Sequence, residues 1–211
     1  MFPLKVHEVS PDSSFEEKVS CHWHEEMEFL VITQGRVSVF IDEECYEAEP
    51  GDIIFIPPDS LHSLSGQMGD EVTFFAVDFK PVLLYSLWKD AIQQKYLDRL
   101  KQGKVVFPTF IRPQEEWQRE VYRLLLQIRE TYAEAAAGYE LLIKAKLYEI
   151  WYLLYRHAVQ PSGEQVELSF LHLGFLQAEE VCIECLELVL EVFAHASTQA
   201  VYVPGYKLHF L

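Results

Sequence analysis

The sequence predicts a mixed β and α fold: an antiparallel β-barrel or sandwich over residues 1–80, a helical hairpin over 81–159 and a short C-terminal helical tail over 160–211. Three observations carry this expectation. Up to about residue 80, short runs rich in Val, Ile, Phe and Thr alternate with turn residues, and no helical period intervenes. After Phe79-Lys80-Pro81 the apolar residues recur at helical spacing. A linker-like break at Gln160-Pro161-Ser162-Gly163 then precedes one last helical pattern.

The strands follow in order. LKVHEV opens the chain, and HEEMEFLVITQG, RVSVFID, CYEAEPGD, IIFIPP and EVTFFAVDF follow, with His62 at the start of a further strand. Turns fall at Gln34-Gly35, Asp42-Glu43-Glu44, Pro50-Gly51, Pro57-Pro58-Asp59 and Gly66/Gly69. The first long helix begins near Pro113, with Glu115 and Glu116 in its first turn. Trp117, Val121, Leu124, Leu125 and Ile128 form its apolar stripe. Gly138 separates it from YELLIKAKLYEIWYLLYRHA, which has two apolar stripes: Leu141, Ala145, Tyr148, Tyr152 and Tyr155, and Ile143, Leu147, Ile150 and Leu154. A helix apolar on two sides needs cover on two sides, and self-association is the expected second cover. In the tail, Glu180, Glu184, Glu187 and Glu191 share one helical face and Val181, Cys185, Leu188 and Val192 another.

Bulk properties narrow the function. Half of the 211 residues are hydrophobic, which is ample for a core. No apolar run reaches the ~18 residues of a membrane helix, and no secretory signal opens the chain, so a cytoplasmic protein without a membrane partner is expected. Four cysteines are too sparse for a disulfide framework, in keeping with a reducing compartment. The net charge is −16, and after Glu164 the only Lys or Arg is Lys207. Nucleic-acid affinity comes largely from cations that neutralise phosphates, so this chain does not grip DNA by charge.

The chemistry concentrates in CHWHEEMEFLVITQG (21–35) and GDIIFIPPDSLH (51–62). His22, His24 and Glu28 share a face if one strand runs unbroken from 22 to 32. Three such donors cover one side of a metal and leave a fourth ligand to come from elsewhere, with His62 as the candidate. Imidazoles at strand ends also serve as plain hydrogen-bonding groups in a polar barrel mouth, and that alternative stands beside the metal.

These two segments resemble the signature motifs of the cupin barrel, a jelly-roll. The first motif, H-x-H-x-x-x-E and then a glycine, is matched by His22, His24, Glu28 and Gly35; the second by Gly51, Pro57 and His62. Glu16 and Gly66 replace the usual opening glycine and closing asparagine, and Asp59 stands where a glycine is common. The resemblance implies a cupin-like barrel in which His22, His24, Glu28 and His62 are the metal ligands. The implied cofactor is a divalent ion such as Zn, Mn, Fe or Ni.

A narrower resemblance covers about residues 15–158. The barrel motifs followed by FFAVDFKPVLL and two helices resemble the N-terminal sensor and dimerisation region of AraC-type transcriptional regulators. That implies a small-molecule effector, such as a sugar or related metabolite, bound around His22, His24, Glu28 and His62. It also implies a homodimer formed through the helices, and DNA contact only through a domain not complete in this chain. The acidic tail carries a faint echo of that domain in AVYVPGYKLHF. A rival from another class is a small cupin metalloenzyme, a dioxygenase or isomerase. It has against it that no further acid/base pair is visible near the motif. A purely structural dimerisation module with an empty barrel is a third reading.

Other features carry less. Cys182 and Cys185 sit inside a helical pattern without a second pair, as small buried residues do. Trp23 is expected to face away from the histidines and pack, and Phe40, Phe55 and Tyr46 are expected to line the barrel or fill its core. His7 and His209 have no partner visible in the sequence.

Overall fold

The structure is a computed structural model, and it describes residues 2–9, 19–66, 71–88 and 90–159. The acidic tail, with Cys182, Cys185, His209 and the AVYVPGYKLHF echo, lies outside the described residues.

The strands are β1 (Leu4–Val9), β2 (Val19–His22), β3 (Met27–Gln34), β4 (Val37–Ile41), β5 (Glu44–Ala48), β6 (Ile53–Ile56), β7 (His62–Gly66), β8 (Thr73–Phe79) and β9 (Phe110–Ile111). They form two antiparallel sheets, ordered β1-β8-β3-β6-β9 and β2-β7-β4-β5. A cupin-like barrel results, and the expected mixed β and α architecture is present. The small strand β9 comes from within the helical half of the sequence and pairs with β6, closing the edge of the larger sheet.

Burial explains why the strands of the larger sheet read as continuous apolar runs. Leu30, Ile32, Ile54, Ile56 and Phe74 meet Val37, Val39, Ile41 and Leu64 inside the barrel. Their neighbours Phe29, Val31, Phe55, Phe75 and Val77 join a second core with the helices. A sheet buried on both faces loses the polar alternation of a half-exposed one. Each such side chain contributes about 1.5–3 kcal/mol of burial energy, so the outer layer is integral to stability. Phe55 therefore belongs to the helix-side core, and Tyr46 packs against the inner one, stacked on Phe110.

The helical layer follows the expected order. Helix α1 (Asp98–Lys101) leads through β9 to α2 (Glu116–Glu134), a short turn joins α2 to α3 (Tyr139–Arg156), and a π-helical turn, Gln93–Leu97, precedes α1. Glu115 caps α2 in a reciprocal capping box with Gln118. Gly138, at φ 84°, lets the chain reverse into α3. Val121, Leu124, Leu125 and Ile128 of α2 face Ile143, Leu147, Ile150 and Leu154 of α3 in one core. The other stripe of α3 is only partly covered. Tyr148 donates its hydroxyl to Leu84 O, whereas Leu141 is 77% and Tyr152 58% exposed.

A tight turn stands at each end of the barrel. Gly35 adopts φ 75°, and a Cβ there would lie 2.6 Å from Glu71 O, so the close approach excludes larger residues. Asp59 adopts φ 63°, which explains how an aspartate occupies a position where glycine is common. Its amide donates to His24 O at 2.8 Å, tying the Pro57-Pro58-Asp59 turn to the first histidine segment.

Candidate functional site

The chain does not run as one strand from 22 to 32. It leaves the smaller sheet at His22, crosses through residues 23–26 and enters the larger sheet at Met27. The expectation of three ligands aligned along one strand is corrected accordingly: the side chains converge across the barrel mouth. His22 on β2 is directly opposite His62 on β7, and Glu28 projects from β3 in the facing sheet. Trp23, in the crossing segment, is 62% exposed and does not pack as expected.

Each imidazole is fixed by a nearby carbonyl. His22 Nδ1 lies 2.8 Å from Ser20 O, His24 Nδ1 3.0 Å from Glu26 O, and His62 Nδ1 2.9 Å from Ser60 O. A carbonyl only accepts, so each Nδ1 carries the proton and each Nε2 is left for other work. The ring centroids of His22 and His62 are 4.2 Å apart, those of His24 and His62 4.9 Å. One donor atom from each of His22, His24 and His62 lies within 4.8 Å of the others.

Glu28 is the acidic centre of this group and only 7% exposed. Its Oε2 is 3.1 Å from His24 Nε2 and 3.4 Å from His62 Nε2. Burial pushes the carboxyl up, but His24 and His62 outweigh it and hold Glu28 down at about 2. The hydrogen bond to Glu28 raises His24, whereas burial lowers His22. His62 Nε2 is buried without a hydrogen-bond partner, since its approach to Glu28 lacks the alignment of a bond.

That orphaned nitrogen tests the metal expectation. A metal between them would take the Nε2 lone pair of His62 and the Glu28 carboxylate as ligands together. Metal–ligand bonds of about 2.0–2.2 Å place neighbouring donors about 3.0–3.5 Å apart, the range of the two Glu28 separations. The donor set and its backbone-anchored rings fit a divalent ion.

Asp78 beside this cluster escaped the sequence reading, which also left His7 without a partner. Asp78 on β8 is paired in register with Glu28 on one side and Lys5 on the other. Burial and the charge of Glu28 push its carboxyl up to about 7. Its Oδ1 is buried without a partner, and its Oδ2 is 3.1 Å from His7 Nε2. The available signal was one acid in the apolar run TFFAVDF, at the same parity as Phe74 and Ala76. The strand pairing that brings His7 to it is not visible in sequence.

A cavity of about 600 Å3 opens next to these groups, lined among others by Phe2, Leu4, His7, His24, Asp78 and Lys80. His24 and Asp78 thus face both the cavity and the histidine cluster. Among the described residues, no helix is long and apolar enough to cross a membrane.

Comparison with known proteins places this geometry. A family model described as AraC-like ligand binding domain matches residues 11–151. An uncharacterised HTH-type transcriptional regulator, YdeC, of Bacillus subtilis is 21% identical over 170 residues, 81% of this chain and 57% of the relative. The chain therefore spans little more than half the length of that relative. Among solved structures, a cupin-like protein of Thermotoga maritima aligns with 18% identity over 44% of this chain and 68% of its own, at a TM-score of 0.34. An RmlC-like cupin of Shewanella frigidimarina aligns with 17% identity over 36% and 66%, at 0.33. Structural similarity at that level carries no functional weight.

Proposed function

From the premise that the chain belongs to the AraC-like ligand-binding domain family, we propose that it is the sensing and dimerisation part of a cytoplasmic AraC-type transcriptional regulator. In this reading a small metabolite occupies the barrel-mouth cavity and contacts the group formed by His22, His24, Glu28 and His62. The supporting observation is the cavity of about 600 Å3, a size typical of small-molecule sites, with His24 and Asp78 in its wall. The same four residues would hold a divalent metal, which would supply a Lewis-acidic position at the mouth. Glu28 orients His24, and the Ser20, Glu26 and Ser60 carbonyls fix the tautomers. The exposed face of α3 around Leu141, Leu142, Ala145 and Tyr152 pairs with a second copy. In such a regulator DNA contact belongs to a domain other than this one.

For sensing, the effector has to bind one arrangement of the domain more tightly than another. Strand β1 is placed to carry the difference. Its Lys5 and His7 face the cavity, and its Glu8 forms a bidentate ion pair with Arg129 of α2 at 2.8 Å.

The second reading, a small metalloenzyme such as a dioxygenase or isomerase, gains one observation. Asp78 and His7 form the acid/base pair that sequence did not reveal beside the cluster. One experiment separates the two. Purified protein is assayed for bound metal, for thermal stabilisation by a metabolite library and for turnover of stabilising compounds. Metal lost on joint His22→Ala and His24→Ala replacement, with stabilisation and no turnover, is the expected result. Turnover selects the enzyme, and a metal-free protein that binds its effector unaided removes the metal.

A further inference from the structure

We propose that the cavity takes a small organic acid, an α-hydroxy or α-amino carboxylate with an apolar body. The inference rests on the sensing role proposed above and names the chemistry of its ligand. Its first support is charge. A chain of net charge −16 repels anions over most of its surface, yet two lysines, Lys5 and Lys80, line this one cavity. The acids of the wall already have basic partners: Glu26 Oε1 lies 3.8 Å from Lys80 Nζ, and Asp78 Oδ2 lies 3.1 Å from His7 Nε2. Among the described residues Lys5 has no acidic partner within ion-pair distance, although it is in register with Asp78. A neutral polyol gives an uncompensated lysine nothing to neutralise, whereas a carboxylate does.

The second support is the unsatisfied acceptor. Asp78 Oδ1 is buried without a hydrogen-bond partner in a residue that lines the cavity. A hydroxyl or ammonium next to the ligand carboxylate supplies the missing donor once the Asp78 carboxyl turns Oδ1 into the cavity, and an acid lacking one leaves the cost in place. The third support is the apolar wall of Phe2, Pro3 and Leu4, which suits a hydrocarbon or aromatic body.

The test uses the full chain and calorimetry at low salt, with mandelate, 3-phenyllactate and phenylalanine as probes. Each is compared with its methyl ester, and glucose and xylose serve as neutral polyols. At least one acid is expected to bind tenfold or more tighter than its ester and to weaken as sodium chloride is raised. Lys5→Met with Lys80→Met is expected to weaken it tenfold or more. Both lysines are exposed, so folding of the variant is checked by its melt, and the ester comparison requires no variant. An ester or sugar that binds as tightly as the acids overturns the ligand class and leaves the sensing role standing. An acid that ignores the lysine replacements overturns the site. Failure of every probe, charged or neutral, to bind at millimolar concentration overturns the class and removes support from the sensing role together.

Discussion

Glu28 keeps its charge inside the barrel because His24 hydrogen-bonds it and His62 adjoins it. The pH dependence of the metal-free protein follows from two opposite shifts. Glu28 is depressed from 4.5 to about 2, so its contribution is present above about pH 4.5 and lost as pH falls towards 2. His24 is raised above 6.5, so its contribution is full below 6.5 and lost as pH rises through its folded value. Glu28→Gln is therefore expected to cost most at about pH 5.5, on the order of 3 kcal/mol, and less at pH 3 or 9. Chelator-treated protein melted across that range checks this, and a pH-independent cost would refute it. Asp78 has the opposite sign. With its carboxyl raised to about 7, the folded wild type loses stability as pH climbs from 3.8 to 7. Asp78→Asn removes that loss, so the variant is expected to gain a few kcal/mol over wild type at pH 8 and nothing at pH 3.5. A half-buried carboxylate held against stability in this way is a mark of use.

At the scale of elements, β1 and α3 join the site to the rest. Phe2 lines the cavity and meets Tyr139 at the start of α3 edge-on, with centroids 5.8 Å apart. Glu8 binds Arg129, whose guanidinium also lies over the Phe75 ring. These partly exposed contacts add about 1 kcal/mol or less to stability, so their larger consequence is coupling of the cavity wall to both helices. The sequence exposed the two-sided character of α3, and the structure buries one side and leaves Leu141 and Tyr152 on the other. Replacing both with glutamate is expected to shift the protein to monomer in sedimentation without lowering its melting temperature. An unchanged oligomeric state would move the interface elsewhere.

For the molecule as a whole, the net charge of −16 predicts no retention of duplex DNA by this chain in a gel shift at low salt. Tight, sequence-selective retention would contradict that expectation. The barrel, the hairpin and the residues His22, His24, Glu28 and His62 were legible because turn residues, periodicity and motif spacing are local properties of the chain. Three things were not legible: the break of the strand at 23–26, the exposure of Trp23, and the pairing of Asp78 with His7 and Glu28. Each depends on which strands become neighbours. His7 and Asp78 are distant in sequence, and β1 runs beside β8 only after the whole sheet has closed. By itself the sequence determined the element types and singled out four candidate ligands, since short-range pattern and side-chain chemistry point to both. Only the tertiary structure decided that the four side chains converge from two sheets beside a cavity with a half-buried acid, because convergence is a product of non-local strand pairing.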